Sequence, residues 1–111
     1  DTFPGEITQT ECQLMFDILK KNKIGLLIEA GLPPEAQLAH KHGWTQELDG
    51  LLHSMSDTAI VTTPGADFVL NIFIHSQQRL DFDQGNRLVA RLAQTVYNFF
   101  NLEHQAYWWM D

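Results

Sequence analysis

The apolar positions change their period twice along the chain, marking helices at the two ends and strands between them. Cys12, Met15, Phe16 and Leu19 recur at helical spacing and predict an amphipathic helix over about 9–22. Thr8-Gln9-Thr10-Glu11 in front of it fits a capping box, the Thr8 hydroxyl and the Glu11 carboxylate each satisfying a free backbone N–H. Lys20, Lys21 and Lys23 near its end suit the negative pole of the helix dipole. Residues 24–30 predict a second short helix, stopped by Gly31 in a left-handed cap and by Pro33-Pro34.

Beyond the prolines the pattern changes. Residues 37–42 read as a short strand, and 51–62 contain another, best defined at Thr58-Ala59-Ile60-Val61. Pro64-Gly65 is turn chemistry. Residues 68–75 are the clearest strand, with Phe68, Leu70, Ile72 and Ile74 on one side and Val69, Asn71, Phe73 and His75 on the other. So few polar residues predict burial of both faces. Asp81 or Asp83 caps a last helix over about 84–101, whose apolar stripe is Leu88, Leu92, Val96 and Phe99, flanked by Val89, Ala93 and Phe100. The tail Tyr107-Trp108-Trp109-Met110 is too apolar for an ordinary frayed end, and is expected to dock on the core or on another chain.

A length of 111 residues suits a single region, 1–111, with no internal repeat or linker. With 44% hydrophobic and 19% charged residues the chain is expected to fold around a core. Its net charge is −7 and its seven Lys and Arg are scattered, so no basic stripe exists to neutralise nucleic-acid phosphates. No apolar run reaches the roughly 20 residues that span a bilayer. Cys12, the sole cysteine, excludes an internal disulfide and a thiolate cluster, and its helical position predicts a buried small hydrophobe rather than a reactive thiol. Asp1-Thr2-Phe3-Pro4 has neither an initiating Met nor a signal-peptide pattern, so a processed, excised or truncated product is expected.

Lys41-His42-Gly43 is the most telling triplet. A strand lysine beside a glycine lets a cation and exposed backbone approach a ligand carboxylate. Alone, such a triplet reads as a solvated lysine and a turn glycine. His40 and His42 share a strand face, and His53 or His75 would lie on neighbouring strands, a set that would suit zinc if three rings converged. Glu35 and Glu47 have no defined register to them, so solvated or hydrogen-bonded histidines are expected, with no metal and no cofactor. Asp57 reads as a strand-edge or turn residue, or else as the partner of a cation.

Taken in order, Glu29-Ala30-Gly31-Leu32-Pro33, a strand ending in Lys41-His42-Gly43-Trp44, Ser56-Asp57-Thr58-Ala59-Ile60-Val61, and Thr63-Pro64-Gly65 before an apolar strand resemble the C-terminal stretch of class A β-lactamases and their penicillin-binding-protein-like relatives. The resemblance covers nearly all of residues 6–101. It implies an α+β fold: an antiparallel three-stranded meander with flanking helices, the C-terminal part of a β-lactamase/transpeptidase-like domain. It further implies that Lys41 attracts the carboxylate of a β-lactam or a peptidoglycan stem peptide, that Gly43 leaves room for the ligand, and that the Trp44 backbone N–H is an oxyanion donor. His42 replaces the family's Thr or Ser hydroxyl; it still donates a hydrogen bond but is bulkier and titrates near neutrality.

No Ser-x-x-Lys occurs in the chain, and the Ser-Asp-Asn element is missing as well. Ser54 is followed three residues later by Asp57, and Ser76 by Arg79, so neither substitutes. The family carries these elements upstream of the matched stretch. The nucleophile-bearing N-terminal part is therefore expected to be absent and the chain inert alone. In the family the strand at 68–75 is central, so its open edge is expected to meet the missing half or a second copy. A periplasmic or extracellular parent follows from the resemblance alone. The competing readings are a non-catalytic penicillin-binding-like module and a small metal- or protein-binding domain.

Overall fold

The computed structural model describes residues 5–106. Helix α1 (Gln9–Leu19) starts at the expected capping box: Thr8 N–H donates to Glu11 Oε2 at 2.7 Å, and Glu11 N–H to Thr8 Oγ1 at 3.2 Å. The helix stops before the lysines, which therefore do not occupy its last turn; Lys20 is the cap and lies over the Phe16 ring. None of its residues is buried, and Cys12 is exposed rather than the core hydrophobe expected from its spacing. The reason is placement: α1 lies against β1 at the sheet margin, where Phe16, Leu19 and Ile60 border one groove.

The second helix expected over 24–30 shrinks to one 3₁₀ turn, Glu29–Gly31. Two side chains from elsewhere take the N–H groups that a helix would use. Leu27 N–H donates to Asn86 Oδ1 at 2.6 Å and Ile28 N–H to Asp57 Oδ2 at 3.1 Å. Leu27 is left in the left-handed region at φ 59°, fully buried. Gly31 does not adopt the left-handed cap expected of it. It is glycine for space: a Cβ there would lie 2.0 Å from the Ala90 carbonyl oxygen.

Strands β1 (Gln37–Gln46), β2 (Leu52–Thr62) and β3 (Asp67–His75) form an antiparallel sheet in chain order. This is the α+β meander that the sequence implied. Helix α2 (Phe82–Phe100), capped by Asp81, covers one face. Toward it point Leu38 and His40 of β1, Met55, Asp57, Ala59 and Val61 of β2, and Phe68, Leu70, Ile72 and Ile74 of β3. The other face of β3 is open, with Val69 66% and Phe73 76% exposed. Burial on both faces, expected from the apolar run, is not what this strand has, because α2 covers only one side.

The packed stripe of α2 is rotated from the expected one. Asn86, Val89, Ala90, Ala93 and Tyr97 are buried, whereas Leu88, Leu92 and Phe99 face outward. Small residues win the inner face because α2 approaches the sheet and the Gly31 turn closely; a Cβ on Gly85 would meet Met55 Sδ at 2.4 Å. At the far end Asn101 ties helix to sheet. Its Oδ1 accepts from Gly65 N–H at 2.7 Å, and its amide donates to Thr63 Oγ1 and the Tyr97 carbonyl, each at 2.9 Å. The apolar tail at Tyr107-Trp108-Trp109-Met110 lies outside the described residues.

Gly31→Ala is expected to cost about 3 kcal/mol, the upper end for overpacking, because the obstructing atom is backbone. Urea unfolding checks this through a lower midpoint at unchanged slope. Gly43→Ala serves as the contrast, since a Cβ there meets only Ser56 Oγ at an ordinary 3.5 Å.

Candidate functional site

β1 is paired only with β2, so its other side is a free edge. In an antiparallel ladder alternate residues turn their main-chain groups toward and away from the partner. The His40 carbonyl accepts from Asn22 Nδ2 at 3.2 Å and the His42 carbonyl from Lys41 Nζ at 3.2 Å. Both bonds come from groups outside β2, so the even-numbered residues face the free edge, and the Trp44 N–H shares their phase. Side chains flank that edge from both sides. Lys41 and Gly43 belong to the open face, opposite Thr58 and Ser56. His42 and Trp44 belong to the α2 face, where the His42 ring stacks on Trp44 at 5.0 Å and Trp44 meets Phe82 edge-on at 5.1 Å.

Beside Gly43 the open face holds a concavity of about 330 Å³. Thr45, Ser54, Ser56, Phe73 and His75 line it with Gly43 and Trp44, and the Ser54 hydroxyl lies 3.0 Å from His75 Nδ1. Lys41 is exposed and is not part of that lining. Gly43 has no positive φ, and no backbone crowds it. Nothing in the fold requires a glycine here.

The family model for the β-lactamase enzyme family matches residues 5–100. This chain belongs to the β-lactamase enzyme family. Among solved structures, a β-lactamase from Chitinophaga pinensis shares 22% identity and a TM-score of 0.71 over 83% of this chain and 34% of its own. An ancestral class A β-lactamase shares 24% identity and a TM-score of 0.68 over 83% and 34%. A PBP-A variant solved as an acyl-enzyme complex with penicillin G shares 21% identity and a TM-score of 0.69 over 86% and 33%. The chain thus spans about a third of the length of these structures. No curated protein matches it.

In this β-lactamase-family chain the histidines do not converge. His40 is fully buried, its Nδ1 3.1 and 3.2 Å from the two Asp57 oxygens and its Nε2 3.2 Å from the Asn22 carbonyl. His53 is buried on the α2 face, with Nδ1 directed at the Ser76 and Gln78 carbonyls and Nε2 2.7 Å from Asp49 Oδ2. His75 lies on the open face. Among the described residues no group of three His, Cys, Asp or Glu is placed to hold a metal ion.

Asp57 departs most from its expected place. It stands in the middle of β2, fully buried, as the partner of His40, and not at a strand edge or turn. The signal was present in the phase: Asp57 falls in step with Met55, Ala59 and Val61, and a carboxylate at an apolar phase needs a partner. His40, in step with Leu38, supplies it. The contributions of Asn22 and Asn86 come from distant segments and leave no such trace.

Burial disfavours the charged His40 ring, but the hydrogen bond and charge of Asp57, with Glu29 3.5 Å away, outweigh it and raise the pKa above its ordinary value. The hydrogen bond to Asp49, with the Ser76 and Gln78 carbonyls, likewise raises that of His53. A group with a raised folded pKa stabilises fully below its unfolded pKa of roughly 6.5, and that stability is lost as pH climbs through the folded value. The melting temperature is therefore expected to fall as pH rises from about 6.5 into the alkaline range. His40→Gln should melt lower at acid pH and show a shallower slope above it, measured by circular dichroism.

Proposed function

We propose that the chain supplies one wall of a serine hydrolase active site that acts on β-lactams or peptidoglycan-type amides by acyl transfer. The ligand lies along the free edge of β1. One observation carries this reading: Gly43 sits on that edge with neither a backbone conformation nor a close contact that demands glycine. A side chain would fit the fold there, so the missing one is best understood as space for a ligand. Lys41 draws the ligand carboxylate, His42 adds a hydrogen-bond donor, and the Trp44 N–H stabilises the oxyanion as the tetrahedral species forms. Removing one such donor typically costs about 2.7–4 kcal/mol of barrier.

The nucleophile comes from a Ser-x-x-Lys outside these 111 residues, in the N-terminal part of the same domain, and the chain by itself is inert. That part covers the exposed Val69 and Phe73 face and pairs with the open edge of β3, so residues 1–111 act as the C-terminal segment of one domain. Peptidoglycan-type substrates place the parent in the periplasm or outside the cell. No helix among the described residues is long and apolar enough to cross a membrane. His42 in place of a hydroxyl favours a second reading, a non-catalytic penicillin-binding-like module that has lost the chemistry, and the same experiment separates the two.

The complete protein is expected to be labelled covalently by a fluorescent penicillin and to release the label, whereas a non-catalytic module would bind without forming a bond. Lys41→Ala should slow acylation about 100-fold, the scale for losing one charge-assisted contact. The 111-residue chain alone should take no label; labelling of it would overturn the reading. In size-exclusion chromatography the chain alone is expected to self-associate through β3, and a well-folded monomer would count against the covered edge.

A further inference from the structure

Asn22 lies between two histidines of one strand and meets them with opposite groups. Its side-chain Nδ2 is 3.2 Å from the His40 carbonyl and 3.0 Å from His42 Nδ1. A carbonyl only accepts, so the amide nitrogen, not the oxygen, must face this pair. An amide nitrogen only donates, so His42 Nδ1 is the acceptor and its proton resides on Nε2. The main-chain carbonyl of the same residue faces His40 Nε2 at 3.2 Å, with Glu29 Oε2 at 3.5 Å, which requires a proton on that nitrogen. His40 Nδ1 faces the Asp57 carboxylate. Acceptors on both sides of one ring call for both protons.

We propose that Asn22 is a positioning residue that sets the protonation of the two histidines flanking Lys41, holding His40 as a buried cation and His42 as a neutral Nε2–H donor. The groups facing His40 are Asp57 of β2, Glu29 of the 3₁₀ turn and Asn22; those facing His42 are Asn22, Lys41, His40 and Asp57. Burial and the Lys41 charge lower the His42 pKa, while that of His40 is raised, in agreement with the geometry. Lys41 is then the one fixed cation at the triplet. A ligand carboxylate meets one ammonium and one neutral N–H, and acid adds a second charge only by displacing the Asn22 amide. That bearing on ligands rests on the proposed hydrolase reading. The protonation states do not, and they are measured without ligand.

The test is the imidazole ¹⁵N spectrum of the complete protein, without ligand, followed through a pH titration. His42 is expected as the Nε2–H tautomer near neutral pH, titrating below His40, with both His40 nitrogens protonated at the pH where His42 is already neutral. A His42 proton on Nδ1, or His42 titrating at or above His40, overturns the proposal. Asn22→Asp places an acceptor at His42 Nδ1 and should leave His42 doubly protonated near neutral pH. A purely structural role for Asn22 would move backbone signals and leave the tautomer unchanged, which also overturns it. Should Asn22→Asp fail to fold, Asn22→Ala, which removes the donor, takes its place, and a His42 tautomer unchanged there overturns the proposal. Penicillin labelling of the complete protein reports on the hydrolase reading separately.

Discussion

The buried pair of His40 and Asp57 is the contact through which the remaining elements are located. It joins β1 to β2 across the middle of the core face, and Asp57 also holds the Ile28 N–H, so the loop after α1 is fastened to the same carboxylate. That loop in turn receives α2, through Asn86 on Leu27 and through the contact of Gly31 with Ala90. Taking two ionisable groups out of water is costly unless each remaining polar site is met. Here the ring and the carboxylate are both met, by main-chain groups as well as by each other. Breaking such a pair by removing one partner typically costs about 3–5 kcal/mol. The register of β1 is therefore fixed one residue away from Lys41.

In the proposed reading this rigidity serves an edge rather than a pit. A strand with one unpaired side offers main-chain groups at fixed intervals, and an extended ligand can use them as another strand would. Side chains on the two faces then bracket the edge: an ammonium and a glycine gap on the open face, an aromatic stack of His42, Trp44 and Phe82 on the other. The aromatic stack also anchors the end of β1 to the first turn of α2, so the site and the helix share a support.

The strands were legible from their apolar pattern and the turn chemistry between them, their arrangement from the family resemblance, and the capping box at Thr8 marked the first helix correctly. The β-lactamase family could be recognised from several weak motifs in sequence order. Three features were not legible, for separate reasons. The segment at 24–30 has helical composition, but Asn86 and Asp57, remote in sequence, take its N–H groups. The inner stripe of α2 is read wrongly from hydrophobicity because close approach favours Ala90 and Ala93 over Leu88 and Leu92. The β3 run looks doubly buried because its apolar outer residues have no cover among the described residues. Lys41, His42, Gly43 and Trp44 were singled out from the sequence; His40 and Asp57 were each noted, the latter with a cation as one possible partner, but they were not joined to each other.

Leu27 has a consequence for the order of events in folding. A leucine in the left-handed region is held there at a cost of about 1–3 kcal/mol, and the local bonds from Gly25 N–H to Glu29 and from Gly31 N–H to the Ile28 carbonyl are not the whole of what holds it. The rest comes from bonds to a strand 29 residues downstream of Ile28 and a helix 59 residues downstream of Leu27. These two bonds form only once that strand and that helix have met, so they are expected to lie on the native side of the rate-limiting barrier. Substitutions there would then hasten unfolding and leave the refolding rate nearly untouched.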